Sequence, residues 1–161
     1  MKRTIAALSG LILAGSVAST AISQEQIDKN LQSAITARES LMHLFAFNVG
    51  LLGAMAKGEV PYDAAAAEKA ATDIVLLSKH DQSRLWPKGS DNFALGEKAT
   101  RAKPDIWDKP DEFATKYQAL VDGAAAMETA AGGGLDSLKG GMAALGGSCG
   151  GCHKAFRQSR D

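Results

Sequence analysis

From Gln26 to about Met55 the chain returns an apolar side chain to one helical face every three or four residues, and such a stripe needs other helices to cover it. Leu31, Ile35, Met42, Phe45, Val49, Leu52 and Ala56 share that face, with Arg38 as a charge among them. Leu41, Leu44, Leu51 and Met55 widen it, while Thr36, Glu39, Ser40 and His43 fall largely outside. Lys57-Gly58 supplies a stop, a cation in the last turn followed by glycine. Pro61-Tyr62-Asp63 opens a second helix, alanine-rich from Ala64 to about Lys79, with Ile74 and Leu77 on its buried side. A third helix starts at Pro110, where Asp111 and Glu112 suit the first turn. Phe113, Tyr117, Leu120, Val121 and Met127 mark its inner face, and Gly132-Gly133-Gly134 ends it. A fourth helix runs from about Asp136 to Gln158, and no segment has the period of a strand. Residues 81–109 hold Pro87, Gly89, Gly96, Pro104 and both tryptophans without sustained periodicity, so they form a long irregular connection. Two tight turns and one long loop between helices two and three predict an all-α, antiparallel up-down-up-down four-helix bundle.

The first 23 residues stand apart from this pattern. Met1-Lys2-Arg3 is basic, Ile5 to Ala18 is apolar and small, and Ala21-Ile22-Ser23 resembles a cleavage site. That order describes a secretory signal peptide removed before Gln24. The apolar run is interrupted and shorter than the ~20 residues of a membrane span. Residues 24–161 then form one domain, with 16 basic and 18 acidic residues. No basic run survives that would favour nucleic acid, and no later segment is expected to enter a membrane. The mature protein is expected to be soluble and exported, hence periplasmic.

Cys149-Gly150-Gly151-Cys152-His153 lies close to the C-terminus. On a helix, positions 149, 152 and 153 share one face. Two thiols at this spacing, followed directly by histidine, form the known attachment pattern for c-type haem: thioethers to the vinyl groups and an imidazole on the iron. A redox dithiol normally sits beside a strand, zinc would lack a fourth ligand, and a plain disulfide gives no reason for His153. Six glycines, at 140, 141, 146, 147, 150 and 151, weaken the fourth helix intrinsically, each by ~1 kcal/mol relative to alanine. Their density suggests that something bulky approaches the backbone. Arg38 also needs an explanation, because a charge within an apolar stripe is rarely buried without a partner; a haem propionate would supply one.

Several segments together resemble cytochrome c′, a class II c-type cytochrome. They are Arg38 four residues before Met42, the run Lys57 to Ala65 (KGEVPYDAA), the run Arg101 to Trp107 (RAKPDIW), and the motif Cys149–His153 with Arg157. The likeness extends over essentially the whole mature chain. It implies one covalent haem c inside one end of the bundle, with His153 as proximal iron ligand and Arg38 near a propionate. It also implies Arg157 beside the proximal imidazole, a placement that the i, i+4 spacing supports. Glu39 and Arg101 are further candidates for the haem edge, and Trp86 and Trp107 for its cover.

The chemistry turns on the position opposite His153. Met42 lies on the inward stripe, whereas His43 sits about 100° around the helix on its polar side. If Met42 ligates iron, the protein is a low-spin electron carrier, since thioether is a known axial ligand. If it only packs there, the five-coordinate iron is open to small gases such as nitric oxide, the alternative favoured by the likeness to cytochrome c′. No distal acid–base residue near Met42 suggests an enzyme. Expected partners are small redox proteins, diatomic gases and, through the small residues Ala46, Gly50, Gly53 and Ala54, a second copy of the chain.

Overall fold

The computed structural model describes the backbone of residues 17–159 and the side chains of residues 29–159; the first part of the segment read as a signal peptide, residues 1–16, lies outside the described residues. Among the described residues six helices follow in order: α1 (Val17–Lys57), α2 (Ala64–Ser78), α3 (Asn92–Leu95), α4 (Asp105–Asp108), α5 (Pro110–Ala131) and α6 (Leu135–Phe156). The four long ones are those expected, and they make a four-helix bundle from Leu31 onward. Two boundaries move. α1 begins at Val17, upstream of Gln26 and across the expected cleavage point, and α6 ends at Phe156. The connection between α2 and α5 is not wholly irregular, since α3 and α4 each supply one short turn within it.

Local chemistry sets the helix ends. Asp63 caps α2 by accepting the Ala66 N–H at 3.0 Å. Pro110 occupies the first turn of α5, where its missing N–H costs nothing. Gly58, at φ 76°, takes the left-handed conformation that ends α1 and gives its N–H to Met55 O at 3.0 Å.

Among the described residues the main core cluster is drawn from all four long helices, and a smaller one gathers Ala102, Ile106 and Phe156. Leu41, Phe45, Leu52 and Met55 of α1 meet Ala67, Ala71 and Ile74 of α2, Ala124 and Met127 of α5, and Leu138 and Leu145 of α6. Leu44 and Leu51 do not join it. They are exposed, 51% and 37%, because they lie outside the arc of α1 that the other helices cover. The inner face of α5 also differs from expectation. Gly123, Ala124, Met127 and Ala131 are buried, while Phe113, Tyr117, Leu120 and Val121 are only half-buried. Small residues win there because α5 and α6 approach closely: a Cβ on Gly123 would lie 3.3 Å from Leu145 Cα.

By length and composition the Lys29–Lys57 stretch would pass as a membrane span, contrary to the expectation that nothing after the leader would. Its core-facing residues instead serve the bundle. Gly53, expected on an outward small-residue side, is half-buried and faces α6, a Cβ there lying 3.7 Å from Met142 Cε. At the end formed by the α1–α2 and α5–α6 turns, the Tyr62 hydroxyl donates to Ala131 O at 2.7 Å and accepts from Gly134 N at 3.1 Å.

Candidate functional site

The opposite end gathers the residues with chemistry. Cys149, Cys152 and His153 occupy the last turns of α6, all half-buried, and the thiols are unbridged. Burial pushes both thiols up from the usual cysteine range; for Cys152 the cations Lys116 and Arg157 pull the other way. His153 is shifted down, mainly by burial and then by the charges of Arg157 and Arg101. A neutral imidazole is thereby favoured, the form that can donate a ring nitrogen lone pair to a metal. Among the described residues no three or more His, Cys, Asp or Glu converge as a free-metal site.

The glycines behave differently from one another. A Cβ on Gly141 would crowd Met127 Cε at 3.0 Å, so that glycine serves helix packing. At Gly140, Gly146, Gly147 and Gly150 a Cβ would meet nothing within 4 Å, and at Gly151 only Lys116 Nζ at 4.0 Å. Protein bulk does not explain these five. The bare surface between the two cysteines, their free thiols and the neutral imidazole fit a flat macrocycle held through sulfur and nitrogen.

The end of α6 is tied to the crossover. Lys103 N–H donates to Phe156 O at 3.0 Å and Gln158 N–H to Arg101 O at 2.8 Å, pairing Ala102 with Arg157 in antiparallel fashion. Lys103 Nζ reaches Ala155 O at 3.1 Å, a cation at the negative end of the helix. Arg157 is therefore the C-cap in extended conformation and not a member of the helical face that 153 and 157 were expected to share. Its charge nevertheless acts on His153.

Arg38 is 3% exposed and fully engaged at both terminal nitrogens. Nη1 donates to Leu85 O at 3.3 Å and Ser90 Oγ at 2.7 Å; Nη2 donates to Ser90 O at 2.6 Å and Thr100 Oγ1 at 2.7 Å. The guanidinium also lies over Trp86, 4.9 Å from the ring centroid. Burial lowers its pKa to about 10, against the raising influence of Glu39 and Asp91. Protein oxygens thus supply the buried Arg38 with partners, because the crossover folds over α1 at this point. Glu39 is exposed and Arg101 half-buried.

Aromatic rings continue the link. Trp86 meets Phe113 edge-on at 5.1 Å, and Phe113 meets Phe156 at 5.4 Å. Trp107 Nε1 donates to Trp86 O at 3.0 Å. A continuous set of contacts therefore runs from Arg38, one turn before Met42, to Phe156, one turn after His153. Met42 is half-buried against the core, and His43 is exposed. Ser90, Thr100, Lys103 and Phe156 escaped the sequence reading. Phe156, three residues after His153, carried the one usable signal.

A helical bundle carrying an unbridged C-x-x-C-H face at one end defines the class: a c-type haem protein, in the architecture for which cytochrome c′ is itself a standing example. The family model for cytochrome c′ matches residues 33–157. The chain is 44% identical to cytochrome c-554 of Cereibacter sphaeroides, across 88% of this chain and 90% of that one. Its structure is similar to cytochrome c′ from Rhodobacter spheriodes, with TM-score 0.78, 42% identity, and coverage of 81% of this chain and 98% of that one. It is also similar to the nitric oxide complex of a cytochrome c prime variant from Alcaligenes xylosoxidans, with TM-score 0.70, 29% identity and coverage of 81% and 97%. The chain belongs to the cytochrome c′ family and binds haem c, with its iron, covalently.

Proposed function

We propose that the protein is an exported, periplasmic cytochrome with a single haem, in which Cys149 and Cys152 hold the thioether links and His153 is the proximal iron ligand. When bound, the haem supplies a one-electron couple and an iron position for small ligands. Burial of His153 keeps its imidazole unprotonated for ligation, and the ties from Lys103 and Arg101 hold the helix end that carries it. Arg38, Arg101 and Arg157 set a positive field at this end, suited to the haem carboxylates. With its terminal nitrogens on Ser90 and Thr100, Arg38 chiefly holds the crossover against α1.

We read the distal side as open to gases such as nitric oxide, with electron transfer as the companion role. The observation that carries this is Met42 lodged against the apolar core cluster, where its thioether is a packing group. The neighbour with nitric oxide bound supports the same reading. The test is the spectrum of the ferrous holoprotein with and without nitric oxide. A high-spin spectrum that shifts on adding the gas is expected. A low-spin spectrum with a methionine–iron charge-transfer band, both lost in Met42→Ala, would establish instead the low-spin Met/His carrier. No enzymatic turnover is assigned; sustained peroxide consumption at enzyme-like rates would reverse that.

A homodimer is also proposed, on a revised surface. The outward ridge Leu44, Phe47 and Leu51 of α1, with Phe47 76% exposed, replaces the small-residue patch. Sedimentation should show dimers that Phe47→Ser dissociates, and monomer alone at high concentration refutes it.

A further inference from the structure

α5 and α6 are both 22 residues long, yet α5 contains one glycine and α6 contains six. Two of these have a steric reason. A Cβ on Gly123 would lie 3.3 Å from Leu145 Cα, and one on Gly141 would lie 3.0 Å from Met127 Cε. Gly140 and Gly147 have none, being exposed with nothing within 4 Å of an added Cβ. The haem does not account for them either. At 100° per residue they stand about 180° and 160° around the helix from Cys149, behind the face that carries the attachment motif. Alanine would fit at both positions and would favour the helix, so glycine there serves to weaken it.

The ends of α6 have the same character. Gly134 begins it without a side-chain cap, and its far end is held from outside, by Lys103 N–H on Phe156 O and Gln158 N–H on Arg101 O. The closed helix also covers its own chemistry. Cys149 and Cys152 are half-buried, and Cys152 packs against the cluster of Ala102, Ile106 and Phe156. A rigid macrocycle has to enter on that side before either sulfur meets a vinyl group. A helix that opens readily removes the obstruction, and closure afterwards returns His153 to the same face.

We propose that Gly140 and Gly147 are an opening device: in the haem-free chain they let the C-terminal half of α6 unwind, so that both thiols are joined to haem before the helix packs. The proposal rests on the reading that Cys149 and Cys152 hold the thioethers. In that step each thiol S–H adds across a vinyl double bond, sulfur to the inner carbon and hydrogen to the outer one, so no electron is gained or lost. Once both bonds exist the haem fills the inner face, and closure no longer depends on helix propensity.

The test uses the mature, haem-free chain with both thiols reduced, and two measurements on the same variants. The first is the alkylation rate of Cys149 and Cys152 by iodoacetamide, which follows the open fraction. Gly140→Ala with Gly147→Ala should slow it about twentyfold, from about fivefold for each glycine replaced. Ala143→Gly, exposed on α6, should speed it about fivefold, while Gly50→Ala, an equally unobstructed change on α1, should leave it unaltered. The second is the gain of haem mass after ferrous haem is added under reducing conditions without oxygen, and it should follow the same order. Equal alkylation in every variant refutes the device, as does slowed alkylation with unchanged haem gain. Fivefold slowing by Gly50→Ala also refutes it, since the stability of the whole bundle would then control access. If the native chain gains haem but peptide mapping places it away from Cys149 and Cys152, the attachment reading fails, and the device with it.

Discussion

Where α1 meets α2 and α5 meets α6, a single phenol ties the turns: Tyr62 bonds Ala131 and Gly134, and little else polar is buried. Where α2 leaves for the crossover and α6 ends, the same task takes a buried guanidinium with four hydrogen bonds, three rings in edge-to-face contact and a short antiparallel pairing. The first end is shaped by local turn chemistry, in which glycine at 58 and at 134 provides the left-handed residue. The second is assembled from residues far apart in sequence, because α6 must carry Cys149 to His153 with a bare surface beside them. A helix thinned by glycine loses intrinsic stability, and contacts from α1, α5 and the crossover supply what it lacks.

The largest expected effect lies wholly at the second end. Replacing Cys149 and Cys152 by alanine abolishes covalent haem, read as loss of the haem increment in the intact mass, while circular dichroism retains helix. Next comes Arg38→Met. Leaving the Leu85 and Ser90 carbonyls without their donor in the interior should cost about 3 kcal/mol in denaturant unfolding, with faster amide exchange at 85–103. Phe113→Leu, which breaks both ring contacts, should cost about 1–2 kcal/mol and shift the Soret band of the holoprotein through Phe156. Tyr62→Phe should cost only about 1 kcal/mol and leave that band unmoved. Equal losses from Arg38→Met and Tyr62→Phe would erase the distinction between the ends.

The smallest effect is a pH slope. Burial raises the Tyr117 phenol above its ordinary range, and its hydroxyl donates to Ser78 O at 3.0 Å. The unfolded chain then releases that proton first, so the folded state holds more protons above a pH of about 10. Stability is therefore unaffected below that point and falls as pH rises through it. Tyr117→Phe should remove this part of the alkaline slope in thermal melts.

Arg38 and Leu44 show where sequence reading reaches its limit. Both sit on α1, and periodicity placed Arg38 inward correctly but widened the stripe too far, to Leu44 and Leu51. A three-to-four repeat finds the centre of a buried arc; its width depends on how the neighbouring helices are spaced. The protein partners of buried Arg38 lie outside that pattern as well. They lie some fifty and sixty positions away, in a segment without periodicity, and neither Ser90 nor Thr100 carries any local sign of that role. The small residues of α6 were likewise read as one feature, although Gly141 serves packing and Gly150 faces open space.

By itself the sequence determined the four long helices, their order and the face on which Cys149, Cys152 and His153 stand together. These follow from spacing along one chain, because helical geometry turns intervals of three and four into neighbours. Only the tertiary structure decided how α6 is held and that Arg38 is satisfied by protein oxygens. Those outcomes depend on contacts closed between distant segments, and the energy of each resides in burial and pairing that no single segment contains.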